Sequence, residues 1–140
     1  MSSLKTDIQR RPGGGWRPVV FVRIADVGAS PTPDTIARAQ YRSYRGLIDT
    51  GATVSGIKGK LARELGFKPV KRRLMDTLSD SDKEVDVYRL AMMLPESRPF
   101  LVDAFEVSGL KDIDAIIGMD IIIQSRLLIK GHERLLEMFF

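Results

Sequence analysis

The sequence predicts an all-β, barrel-like domain with one or two short helices. Two observations carry this reading. Short runs rich in Val, Ile, Leu and Phe recur along the chain, and such residues suit a pleated, packed surface. Clusters of Gly, Pro, Ser and Asp separate them, as turns require. The length of 140 residues fits a single domain, with room for one core but not for two packed lobes.

The totals narrow the class. Hydrophobic residues make up 44% and charged residues 29%, the balance of an ordinary soluble globular chain. With no cysteine there is no disulfide framework, zinc–thiolate site or cysteine nucleophile. Residues 1–15 lack the apolar core of a signal peptide, and no apolar run is long enough to span a bilayer. The expected location is cytoplasmic, with no membrane partner. A net charge of +4 does not by itself argue for nucleic acid, and none is expected as a partner.

Residues 1–15 read as a flexible N-terminal lead-in ending in Arg11-Pro12-Gly13-Gly14-Gly15. The triple glycine has no following helix or Lys-Ser/Thr to make a phosphate cradle. Trp16 to Val27 is the first expected strand. Gly28 to Asp34, with Pro31 and Pro33, is a loop, and Tyr41 to Ile48 is a second strand. The two suggest an antiparallel hairpin. Lys58 to Leu65 is a short helix, because Ile57, Leu61 and Leu65 share one face. Gly66 stops it, and Pro69 follows. Val70 to Leu78 and Val85 to Leu94 form a hairpin around a polar tip. Phe100 to Val107 is a strand and Gly109 to Asp114 a turn. Ala115 to Ile117 is a buried strand, and Gly118 allows close approach of another backbone. Asp120 starts a short helix through Ser125. Arg126 to Lys130 and Leu135 to Phe140 are final strands around a turn at Gly131-His132. The end is apolar where termini are usually polar, which suggests that it packs into something, a second subunit among the options.

The residues allow only a few kinds of chemistry. Asp80, Asp82 and Glu84 alternate as in a calcium loop but lack its glycine and distal glutamate. His132 is the only histidine, so no metal or cofactor is expected, and no Ser-His-Asp pattern forms around it. Ser55 has no nucleophile-elbow context. Lys71-Arg72-Arg73 reads as a solvated strand face. What remains is carboxylate chemistry. Leu47-Ile48-Asp49-Thr50-Gly51-Ala52 is a buried strand running into a tight turn, which presents Asp49 on a stiff support. Asp-Thr-Gly is also an ordinary turn in which Asp49 bonds its own backbone, and the residues alone leave both readings open. Two carboxylates about 3 Å apart share a proton, so that one takes a proton from water while the other donates to a carbonyl oxygen. The chain holds no second Asp-Thr/Ser-Gly. The second Asp49 would have to come from an identical chain across a two-fold axis.

Leu47 to Ala52, the later hairpin and Ile116-Ile117-Gly118-Met119-Asp120 occur in the order and approximate spacing of a retropepsin-like aspartic protease. The chain resembles the retroviral proteases, the protease-like domain of DNA-damage-inducible shuttle proteins and related bacterial proteins over about residues 16–140. The resemblance implies an acid-protease barrel with its active site at a homodimer interface, and a homodimeric endopeptidase acting on extended polypeptide. It makes Asp49 the catalytic residue. Thr50 would bond across the dyad, Gly51 would line the substrate main chain, and Ala52 completes the loop. Ile116, Ile117 and Gly118 would pack beneath that loop. Asp76-Thr77-Leu78-Ser79-Asp80-Ser81-Asp82-Lys83-Glu84-Val85-Asp86 would be the flap. Retroviral proteases carry an Asp–Arg ion pair where this chain has Thr53 and Met119, so both partners are absent together and no charge is orphaned. Retroviral flap tips are glycine-rich, whereas Leu78 to Glu84 contains no glycine. The alternative is a catalytically weak or inactive module of the same fold that dimerises or binds peptide. A Ser or Thr in place of Ala52 would donate to a carboxylate and stabilise its charged form. Alanine has no such donor, so activity is expected at mildly acidic to near-neutral pH.

Overall fold

A computed structural model describes residues 2–11, 15–75 and 83–140. In chain order the elements are β1 (Ser3–Arg10), β2 (Trp16–Asp26), α1 (Pro33–Arg38), β3 (Arg42–Ile48), β4 (Gly56–Lys58) and α2 (Gly59–Glu64). They continue with β5 (Lys71–Met75), β6 (Lys83–Met93), β7 (Phe100–Val107), β8 (Ala115–Ile117), α3 (Met119–Ile122), β9 (Arg126–Lys130) and β10 (Leu135–Phe139). The strands run in the order β5-β6-β7-β4-β8-β3-β2-β1-β10-β9, and β6 also pairs with β2. That extra pairing closes β2, β3, β8, β4, β7 and β6 into a barrel. The expected all-β class and closed barrel are therefore observed.

Closure follows from the side-chain pattern. Val20, Val22 and Ile24 of β2 are buried while Phe21 between them is exposed, as a period of two demands. Leu90 and Met92 of β6 face the same interior, with Ile57 and Ile117 from the shorter strands. The hairpin expected from the two early strands is present, with Val19 opposite Leu47 and Ile24 opposite Arg42. Gly66 takes a positive φ of 74°, and Phe67 N–H donates to Ala62 O at 2.9 Å, so α2 ends in the left-handed turn that glycine permits.

The structure corrects the reading of residues 1–15 as a flexible lead-in over most of their length. Ser3–Arg10 is a strand: Ser3 to Asp7 pairs with β10, and Ile8 to Arg10 pairs with β2. Leu4 enters the core. The apolar C-terminus thereby finds its partner in its own chain, since Leu136 is 1% and Met138 0% exposed within the monomer. Leu135, Phe139 and Phe140 stay half-buried, and Leu128 and Ile129 of β9 beside them are exposed. Helix α1 lies partly in the segment read as a loop. Thr32 caps it, bonding Thr35 N–H through its hydroxyl while Thr35 bonds back, and Pro33 sits in its first turn. It buries no residue, so it leaves no apolar periodicity. Helix α3 starts at Met119, one residue earlier than expected, and ends at Ile122. No described helix is long and apolar enough to cross a membrane.

Candidate active site

The floor of the site is made by β3, β4 and β8. Parallel pairing sets Leu47 beside Ile116 and Ile48 beside Ile117, so β3 and β8 end together. Asp49 follows directly, and its N–H donates to Ile117 O at 2.9 Å. Its carboxylate Oδ1 accepts from Gly51 N–H at 2.9 Å, and Ala52 N–H donates to Asp49 O at 3.2 Å. The turn reading is thus correct as geometry: Asp49 does bond its own backbone. That same bond fixes one carboxylate oxygen by a main-chain donor on a rigid strand end.

The loop after the turn is held from beneath. A Cβ at Gly118 would lie 2.6 Å from both the carbonyl carbon and oxygen of Val54, closer than any side chain tolerates, so only glycine fits. Met119 N–H donates to Ala52 O at 2.8 Å. Ser55 is 0% exposed; its hydroxyl donates to Asp120 Oδ1 at 2.7 Å and accepts Gly118 N–H at 3.0 Å. Ser55 N–H donates to Asp120 Oδ2 at 3.0 Å. Asp120 also accepts Ile121 N–H at 2.9 Å. The buried Ser55 hydroxyl and both Asp120 carboxylate oxygens therefore have partners. Where the resemblance sets an Asp–Arg pair, Thr53 is exposed and Met119 packs partly against the core. The tie between loop and α3 is made instead by Ser55 and Asp120.

Sequence reasoning singled out neither residue for this role. Their only signal was a Ser and an Asp each flanking a small, tightly packed segment, and it takes the antiparallel pairing of β4 with β8, Gly56 opposite Ile116, to bring them together.

Asp49 opens onto a cleft of about 620 Å³. Ala52, Gly51 and Ile116 line it near the carboxylate, and Leu74, Met75 and Phe105 supply apolar walls. Asp49 is the only acidic residue lining this cleft among the described residues. Thr50 and Gly51 are exposed beside it. Of the expected flap, residues 76–82 lie outside the described residues. Lys83, Glu84, Val85 and Asp86 begin β6, with Leu74 opposite Glu84 and Met75 opposite Lys83. Ile116 is a wall of the cleft, Ile117 is fully buried, and Gly118 lies under the loop. His132 is exposed in the turn between β9 and β10. No group of three or more Asp, Glu or His among the described residues is placed to hold a metal.

No family model matches the sequence, and no curated protein matches it. Solved structures do. A retropepsin-like aspartic protease from Rickettsia conorii is similar over 97% of this chain and 90% of its own, at 16% identity and a TM-score of 0.61. The retroviral protease-like domain of Ddi1 from Leishmania major covers 87% of this chain and 93% of its own, at 14% identity and a TM-score of 0.44. The first of these likenesses, with the barrel described above, gives this chain the retropepsin-like fold.

Proposed function

We propose that the protein is a homodimeric aspartic endopeptidase that cleaves extended polypeptide segments. The observation that carries this is Asp49, the one acidic residue lining the apolar-walled cleft among the described residues, fixed at a strand end. One carboxylate cannot both accept a proton from water and hold one for the carbonyl. A second copy brings the missing group across a two-fold axis. Thr50 and Gly51, exposed beside Asp49, are the residues this arrangement sets at the axis and along the substrate main chain.

The chemistry then follows from the pair. Two carboxylates this close hold one proton between them. The ionised member takes a proton from water as the oxygen attacks the peptide carbon, and the protonated member donates to the carbonyl oxygen. Collapse of the tetrahedral species breaks the C–N bond, with a proton passed to the leaving amine. Ala52, Ile116 and the walls from β5 and β7 restrict water around the dyad, which strengthens these interactions. The substrate lies extended, its alternate side chains entering alternate pockets.

The test is digestion of a diverse peptide mixture across mildly acidic to neutral pH, comparing the native chain with Asp49→Ala. Cuts made by the native chain and absent with the variant are expected. Folded, dimeric native protein that binds peptides without Asp49-dependent cuts would transfer the assignment to a peptide-binding module.

A further inference from the structure

A second cavity opens beside the cleft. It measures about 380 Å³, and among the described residues its lining sets Lys58, Lys60, Arg63 and Lys83 against one carboxylate, Glu106, a net charge of +3 over those residues. Val85 and Val107 form an apolar floor. The wall is tied in place rather than loose. Glu106 Oε1 accepts Asp86 N–H at 2.9 Å, and Oε2 accepts from Arg63 Nη1 at 3.2 Å, so α2, β6 and β7 are held together. Gly59 makes room for this, because a Cβ there would come within 2.7 Å of Glu106 Oε2. Glu106 is therefore largely answered by Arg63. Lys60 reaches Glu64 only at 3.8 Å, between two exposed side chains, a weak contact in water. The field in the cavity is cationic.

The cavity adjoins the cleft. Val107 and Ser108 line both. Strand β4 runs from one to the other: Gly56 lines the cleft, and Lys58, about 6.6 Å further along an extended strand, lines the cavity. Across the β5–β6 pair, Met75 lines the cleft and its partner Lys83 lines the cavity. An extended peptide lying over Asp49 thus passes within a few residues of the cations.

We infer that this cavity is a specificity pocket for an anionic side chain of the substrate, whose methylene stem packs on Val85 and Val107 while Lys58, Lys60 and Lys83 surround its charge. The inference deepens the endopeptidase reading and rests on it for the register of the peptide. The shared chemistry is a carboxylate or a phosphate monoester on an extended polypeptide.

The test separates pocket from catalysis. Fluorescent peptides are built on one neutral sequence, with Glu, Gln or phosphoserine placed at each position in turn. Binding to dimeric Asp49→Asn protein is read by anisotropy, and cleavage by the native chain is read separately. One position is expected at which Glu or phosphoserine binds about tenfold tighter than Gln, the size that several partly exposed ion pairs together supply, with the preference shrinking as salt rises. The ratio between Glu and phosphoserine at that position identifies the source. Lys58→Gln with Lys83→Gln brings the Glu/Gln ratio towards one. Lys58→Glu with Lys83→Glu, both at exposed or half-exposed positions, shifts the preference to a Lys peptide, a gain that unfolding cannot imitate. Equal binding of Glu, Gln and phosphoserine at every position overturns the pocket, as does a preference unmoved by these substitutions. Selective binding without cleavage leaves the pocket standing and removes the protease.

Discussion

At the scale of single residues, the site depends on a side chain that does no chemistry. Ser55 donates to Asp120 and accepts from Gly118, so it closes a buried circuit under the loop that carries Asp49. Ser55→Ala removes a donor to a carboxylate and leaves the Gly118 N–H without its acceptor. A loss of about 1–3 kcal/mol is expected, read by urea unfolding of the folded variant. Unchanged stability would show that the circuit is dispensable. Asp49 itself was legible from sequence, because an aliphatic strand ending in Asp-Thr-Gly states both its support and its turn within six residues. The Ser55–Asp120 bond joins residues 65 apart, so no local pattern announces it. Gly118 stood between these cases. Its place after Ala115 to Ile117 indicated close packing, but only the fold names Val54 as the backbone it packs against.

At the scale of elements, β5, β6 and β7 are pinned by one carboxylate. Asp103 of β7 accepts from Arg89 of β6 at 2.9 Å and from Lys71 of β5 at 3.0 Å. The Arg89 hydrogen bond holds the Asp103 carboxyl below its ordinary 3.8; partial burial opposes this, and Lys71 adds to the lowering. A depressed carboxyl stabilises the fold fully above its unfolded value and loses that contribution as pH falls through the folded value. Thermal midpoints are therefore expected to drop below about pH 4, and Asp103→Asn is expected to flatten that part of the profile. Identical acid profiles for the native chain and the variant would assign the drop to other groups. Long elements such as β2 and β6 were readable because each carries a sustained run of aliphatic and β-branched residues. Strand β4 has three residues, too few for a period, and its existence depends on β7 and β8 flanking it. Strand β1 was missed because Leu4 and Ile8 are sparse among polar neighbours, and its pairing with the distant β10 and with β2 is what that segment's own residues do not announce.

At the scale of the whole molecule, the question is where a second carboxylate comes from. The apolar C-terminus suggested an interface, but Leu136 and Met138 of β10 are buried in the core of their own chain, with β1 and β9 paired on either side. The argument for two copies therefore rests on the cleft, where Asp49 is the sole acidic lining residue among those described. A dyad built from two chains has a signature that a single-chain site lacks. Native protein and Asp49→Ala are mixed in equal amounts, taken through dissociation and allowed to reassociate. If pairing is random and only native pairs cut, activity per native chain falls by about half, since about a quarter of all dimers then carry both carboxylates. A site complete within one chain keeps its activity per native chain constant at every mixing ratio. Dilution gives an independent reading of the same point: specific activity falls below the dimer dissociation constant and recovers on concentration. Activity linear in native chain in both experiments would mean that Asp49 works with a group of its own chain, and the two-fold dyad would be wrong even if cleavage is real.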